Sequence, residues 1–532
     1  MSLIRSPGVQ TISALISFSS GAGLVKKLCL LSLIILLLPA CATLNMEYPR
    51  TASHALDDVG DTRLARKIDP VATQHPGESG FMLLSNGLEA LAARLLLLEA
   101  AEQSIDAQYY FVLDDVTGHL FIRELLRAAD RGVRVRLLLD DIATQGYDLG
   151  MAALDSHPNF EIRIFNPFSQ RRARYLNLRD LIRINRRMHN KQFIVDNRAI
   201  ILGGRNIGAE YFAENEEMNF ADLDVLGFGP VAEDGSRVFD QYWNYDYALP
   251  VGALVAKLAD PGAELLALRA RLDGSLESLV ETPYAGAVER GALDLVRSKT
   301  TAMGWYPYEL VADPPSKGRE DIDVSQTIVG PLSSSIKTAK REFILISPYF
   351  VPRKSGIERF RKLRERGVAV TVVTNSLAAT DVAAVHSGYM PARKPLLKMG
   401  VNLYEVRADA DVPGVKKAGI GHSRASLHIK AYVVDRSKMF VGSFNFDPRS
   451  AYINTEMGII LDAPELAAES AKYLLQKTTQ ATYQVVLTEN NRLRWIGSED
   501  GQPIALNKEP QTSFWQRFMA GFMRILPIKG QL

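Results

Sequence analysis

Cysteine is almost missing: Cys29 and Cys41 are the only two in 532 residues, and none follows position 41. The body of the chain therefore has no disulfide, no cysteine nucleophile and no thiolate zinc site. A surplus of either charge is also missing, with 62 basic against 60 acidic residues. A chain built to grip a nucleic-acid backbone carries a larger basic excess, so any basic site here is local. Apolar runs long enough to cross a bilayer, roughly 18 to 20 residues, are lacking as well. What remains is 47% apolar and 23% charged, the composition of a globular protein long enough for more than one domain.

Lys26 and Lys27 precede a short apolar run from Leu28 to Leu38, followed by Pro39, Ala40 and Cys41. That order of basic, apolar and small residues reads as an export signal over 1–41. Its ending resembles a bacterial lipobox, which implies lipidation of Cys41 and a membrane-anchored lipoprotein facing the periplasm. Ala42 rather than Asp after the cysteine favours the outer membrane over the inner. Residues 42–75 lack a clear period and read as a linker.

The chain repeats itself. His189, Lys191, Asp196, Gly203, Asn206 and Glu217 recur as His428, Lys430, Asp435, Gly442, Asn445 and Glu456, each pair 239 residues apart. Tyr110 and Tyr349 keep the same interval. Apolar runs at 192–195 and 199–202, and again at 431–434 and 439–441, read as buried strands of two hairpins. Helical patterns at 121–131 and 357–366 alternate with strands. The fold class is therefore α/β: two duplicated lobes at 76–251 and 321–495, mixed sheets flanked by helices, with the active site at their pseudo-twofold interface. Residues 252–320 read as a helical connector and 496–532 as an amphipathic tail.

In an extended His-x-Lys both side chains share one face. A neutral imidazole is a nucleophile and a protonated one an acid, so two histidines facing each other divide the labour of phosphoryl transfer. His189, Lys191, His428 and Lys430 form the candidate catalytic set. Asp196 and Asp435 are counted with them, although pairing with backbone near the hairpin is the favoured role. Asn206, Asn445 and Ser443 are the candidate phosphate contacts, and the first repeat has Gly204 where the second has Ser443. Glu217 and Glu456 are candidates to orient the histidines.

His-x-Lys-x4-Asp followed by Gly-Gly/Ser-x-Asn, occurring twice, resembles the phospholipase D superfamily from about residue 80 to 495. RRMHNKQFIVDNRAIILGGRNIGAEYF and GSFNFDPRSAYINTE are similar to bacterial cardiolipin synthases. The resemblance implies a two-step reaction without metal or other cofactor, in which His189 becomes a phosphohistidine and His428 is general acid and base, the two roles being exchangeable. It implies phosphatidyl transfer to phosphatidylglycerol, with phosphatidylethanolamine a possible second substrate. A hydrolase releasing phosphatidic acid shares every catalytic residue; a nuclease and an inactive lipid-binding lipoprotein are the weaker alternatives. Expected partners are phospholipids and a membrane surface, with no nucleic acid; a protein partner is left open. Arg171, Arg172, Arg174, Arg179, Arg183, Arg186 and Arg187 crowd the approach to His189, as an attractor for anionic headgroups or as a solvated face. Phe514, Phe518 and Phe522, beside Trp515, Met519 and Met523, mark one helix face for a membrane interface or for the protein's own core.

Overall fold

The computed structural model describes residues 44–177, 180–212, 218–280, 303–410, 424–499 and 502–524, with scattered positions between 285 and 293. Cys41 and the export signal, Arg179 and Glu217 lie outside the described residues.

Each lobe is built on one mixed sheet. In the first, three neighbouring strands, Ser104–Tyr109, Arg134–Asp140 and Phe160–Phe165, run parallel. Parallel neighbours need a crossover, which the Val116–Asp130 helix supplies between the first two. The sheet continues antiparallel through Gln192–Val195, Ala199–Gly203, Asp224–Phe228 and Ser79–Leu84. The second lobe repeats this plan, with Glu342–Ile346, Ala369–Asn375 and Asn402–Val406 parallel, and Ala431–Val434, Lys438–Gly442 and Met457–Asp462 antiparallel beside them.

Strand alternation divides the core. Phe193, Val195, Ala199 and Ile201 face an outer cluster with helix residues such as Phe121 and Leu125. Their neighbours Ile194, Ile200 and Leu202 face the other way, into a cluster shared with Ile344, Val433, Val441 and Ile459 of the second lobe. The Pro230–Trp243 and Pro464–Ala481 helices contribute Phe239, Trp243, Ala467 and Ala471 to that shared core. The lobes are thus joined by a continuous apolar interior.

Three boundaries differ from the sequence reading. Gly304–Tyr306 is an edge strand of the first sheet and Tyr308–Ala312 an edge strand of the second, so one extended segment clasps both lobes within the expected connector. Before it, Pro261–Val280 is helical as expected. The expected 42–75 linker is docked: Arg136 donates to the Ser53 carbonyl, Ala55 N–H donates to Asp240, and Val59 and Ala65 are fully buried. The expected tail begins late, because Leu493–Glu499 and Gln502–Leu506 extend the second sheet before the Phe514–Met523 helix. Apolar alternation in short edge strands is too brief to separate from loop.

Register also corrects one pairing. Ile105 sits opposite Val195 and Phe343 opposite Val434. The upstream strands are thus related by one residue less than the His-x-Lys segments, and Tyr349 corresponds to Phe111, not to Tyr110. A one-residue slip reverses the face a side chain occupies.

Candidate active site

The two hairpins place their histidines by pairing across the lobes. Met188 bridges to Thr455, and His189 N–H donates to the Thr455 carbonyl at 2.9 Å. On the other side Arg424–Leu427 runs parallel to Met218–Ala221, and His428 N–H donates to the Ala221 carbonyl at 2.8 Å. Each histidine is therefore positioned by the backbone of the opposite lobe.

The carboxylates cross over in the same way. His189 Nδ1 lies 2.8 Å from Glu456 Oε2, and His428 Nδ1 lies 2.5 Å from Asp222 Oδ2. Burial pushes both carboxyls up, but the facing histidines and nearby lysines outweigh it and hold each below its ordinary value. Both are thus ionised, so Nδ1 of each ring carries the proton and donates it, leaving the Nε2 lone pair free. Burial lowers both histidines, His189 to about 4. Neutral imidazoles are therefore the resting state at pH 7. Tyr110 meets the His189 ring edge-on with centroids 5.1 Å apart, and Tyr211 does the same for His428 at 5.2 Å.

Lys191 Nζ donates to the His189 carbonyl at 2.6 Å, and Lys430 Nζ to the His428 carbonyl at 2.5 Å. Both ammonium groups are buried, which brings Lys191 down to about 7 and Lys430 to about 8. Lys191 also feels the charge of Lys430 across the lobe boundary. An arriving phosphodiester would restore the full charge that burial withholds. Asn206 and Asn445 are buried, and the side-chain oxygen of each lacks a hydrogen-bond partner among the described residues. Asn206 donates to the Tyr211 hydroxyl at 3.1 Å.

Asp196 and Asp435, counted with the catalytic set, have the backbone-pairing role that the sequence favoured. Asp196 accepts backbone N–H bonds from Glu102, Gln103 and Ser104, and Asp435 from Lys340, Arg341 and Glu342. Both occupy hairpin turns with φ near +50°, beyond the Gln192–Val195 and Ala431–Val434 strands, each itself roughly 13 Å long at the usual rise, that separate them from the histidines. Ser443 also has a different task from phosphate contact: it is fully buried, and its hydroxyl donates to Glu456 Oε2 at 2.5 Å. Ser450 donates to Oε1 at 2.8 Å. In the first lobe the shorter Asp222 stands so close to Gly204 that a Cβ there would collide with its carboxylate. Serine with glutamate and glycine with aspartate are two solutions to one packing problem.

Asp222 was missed in the sequence because the 239-residue interval points to Glu217. The sheet reveals the equivalence: Gly203 pairs with Asp224 and Gly442 with Gly458, so Asp222 and Glu456 each stand two residues before the partner. The repeat has gained residues between Asn206 and this strand, and a fixed interval cannot follow an insertion.

Five of the seven arginines in the cluster are held in ion pairs, while Arg172 is exposed. Arg171 pairs with Asp141 and Asp148, Arg174 with Asp141, Arg183 with Asp180, Arg186 with Asp321 and Arg187 with Asp140. Most of these carboxylates are distant in sequence, so the local reading saw only Asp180. The Phe514–Met523 helix resolves the other way: Phe514, Trp515 and Phe518 are 65%, 68% and 51% exposed, and a Ser513–Gln516 capping box holds its start. Among the described residues no helix is long and apolar enough to cross a membrane, and no group of three or more His, Cys, Asp or Glu side chains could hold a metal ion.

Residues 95–243 and 332–478 match the family described as cardiolipin synthase, PLD-like domain. The chain is 41% identical over 483 residues to cardiolipin synthase C of Escherichia coli, covering 88% of this chain and 100% of that one. It is 27% identical over 412 residues to a cardiolipin synthase of Geobacillus kaustophilus, covering 75% and 66% respectively. Among solved structures it resembles phosphatidylserine synthase of Haemophilus influenzae in fold, with a TM-score of 0.55 and 14% identity over 88% of this chain and all of that one.

Proposed function

The chain belongs to the cardiolipin synthase family of phospholipase D-like proteins and is a phosphatidyltransferase of that superfamily, and we propose that it makes cardiolipin by passing a phosphatidyl group from one phospholipid to phosphatidylglycerol. The observation that carries this reading is the crossed pair of histidine–carboxylate contacts, His189 with Glu456 and His428 with Asp222. His189 with Nε2 free to attack, and His428 able to take up and give a proton at Nε2 while Nδ1 stays on its carboxylate, suit a double displacement.

In the first step His189 Nε2 attacks the donor phosphorus, the bond from phosphorus to the headgroup oxygen breaks, and His428, first protonated at Nε2 while its Nδ1–H stays on the Asp222 carboxylate, gives that oxygen its Nε2 proton. In the second, the glycerol hydroxyl of phosphatidylglycerol yields its proton to His428 while its oxygen attacks the phosphohistidine and the P–N bond breaks. Lys191, Lys430, Asn206 and Asn445 hold the non-bridging oxygens as charge grows on them. The Glu456 carboxylate stabilises the positive ring of the intermediate. The donor is phosphatidylglycerol or phosphatidylethanolamine. The exposed aromatic face of the Phe514–Met523 helix supports work at a membrane surface, and a lipid on Cys41, with the outer membrane preferred, would keep the enzyme there.

The test is to incubate the membrane-reconstituted protein with labelled phosphatidylglycerol, with and without phosphatidylethanolamine, and to follow the lipid products by mass spectrometry. Cardiolipin that disappears in His189→Ala is the expected result. Phosphatidic acid alone would make the enzyme a hydrolase and overturn the proposal.

A further inference from the structure

The two lobes repeat one another, yet a groove of about 910 Å³ exists in the second between the Val329–Lys337 and Arg353–Glu365 helices. In the first lobe the equivalent helices, Gly87–Ala100 and Val116–Asp130, pack directly together. Strand register shows what differs. Tyr109 corresponds to Ser347, following the pairing of Ile105 with Val195 and of Phe343 with Val434. Ile105 also pairs with Val135, and Phe343 with Val370; counting back from these along the preceding helices, Phe121 corresponds to Gly356. In the first lobe Tyr109 and Phe121 meet edge-to-face in a fully buried position. The second lobe has serine and glycine there. Tyr432 and Phe440, which replace Phe193 and Ile201, stack on each other in the core cluster that holds Phe343 and Phe360, and do not line the groove.

Apolar side chains, among them Leu332, Phe360, Leu363 and Phe446, form the groove's walls. Its mouth is basic: Lys337, Arg353, Arg359, Lys362 and Arg366 line it, all exposed. Glu365 and Asp447 are the acids among its lining residues. The groove lies one residue along the chain from the candidate phosphate contacts: Phe444 and Phe446 line it, while Asn445, between them, does not. Its volume falls within the range of lipid- and drug-sized ligand sites.

We infer that this groove holds the acyl chains of an anionic phospholipid, with the basic mouth attracting the bilayer's charged surface while the chains lie along the apolar wall. The inference deepens the phosphatidyltransferase reading and rests on it for the identity of the lipid. Apolar walls select chains, and a five-cation rim selects an anionic over a zwitterionic lipid.

The experiment uses phosphatidylglycerol carrying a photoactivatable acyl chain, in vesicles, with the full-length His189→Ala protein, followed by peptide mapping. Crosslinks on the 329–337 and 353–366 helices, reduced at least fivefold by adding Ile336→Trp, are expected. In the active enzyme Ile336→Trp should raise KM for long-chain phosphatidylglycerol about tenfold relative to KM for the dibutyryl form. Crosslinks elsewhere, an equal effect on both chain lengths, or occupation by a second copy of the protein detected as a crosslinked dimer would overturn the inference. Cardiolipin formation with an unlabelled groove removes the groove alone. Labelling of the groove without any lipid turnover retains the lipid site and removes the proposed reaction.

Discussion

Replacing Glu456 by glutamine isolates the charge from the shape. The carboxylate is fully buried and accepts from His189, Ser443 and Ser450. Glutamine keeps one oxygen for His189 and Ser443, and the Ser450 hydroxyl can turn to accept from the new amide, so the tautomer and the packing survive. What is lost is the charge beneath a ring that becomes positive as the intermediate forms. A hydrogen bond to a charged partner contributes about 1.5 to 3 kcal/mol against about 1 for a neutral one, and burial strengthens the field further. A loss of about 2 to 3 kcal/mol corresponds to roughly 30- to 150-fold in the rate of phosphohistidine formation. Rapid-quench single-turnover measurement reads that step directly. A second readout fixes the cause: Glu456 raises the His189 pKa against burial, so its removal should move the acidic limb of the pH profile below about 4. A rate within threefold of wild type, or a loss confined to KM with the limb unmoved, would refute the argument.

Three further outcomes follow from the same geometry. Asp222→Asn should lower turnover by a similar factor through His428, whereas Glu217→Gln should change it less than threefold; equal losses in a steady-state assay would return the orienting role to Glu217. Asp196→Ala removes the acceptor of three backbone N–H groups and should cost about 2 to 4 kcal/mol of stability, read as a lower urea midpoint, with turnover per folded molecule unchanged; a catalytic defect without destabilisation would contradict the structural role. In the free enzyme kcat/KM should rise as pH passes about 4, where His189 loses its proton, and fall as Lys191, at about 7, and the depressed His428 lose theirs. The optimum therefore lies below neutrality, and one above pH 8 would show that burial does not govern these groups.

Much of this site could be read in the chain because its chemistry is local. His-x-Lys and the hairpin that follows fall within a dozen residues, where periodicity and turn composition act directly. What escaped depends on distance or on insertion. Asp222 was hidden by a loop of unequal length, the one-residue shift of the Tyr110 strand by the register of a sheet, and the arginine pairs by carboxylates that only folding brings near. Ser443 was misread for another reason: a hydroxyl next to a phosphate site and one that supports its carboxylate have the same sequence signature. The exposed Phe514–Met523 helix could not be told from a core helix by spacing, because both need an apolar stripe.

The exchange of carboxylates between lobes ties reactivity to the completed fold. A chain with only one lobe assembled has a histidine whose ring is not oriented and whose charge is not balanced, so it cannot be phosphorylated efficiently by accident. The reactive centre comes into being with the last docking event, when the 304–312 clasp and both crossed contacts are in place. The same exchange constrains substitution: a change of carboxylate in either half acts on the histidine of the other, yet its packing is met inside its own half, by Gly204 beside Asp222 and by Ser443 beside Glu456.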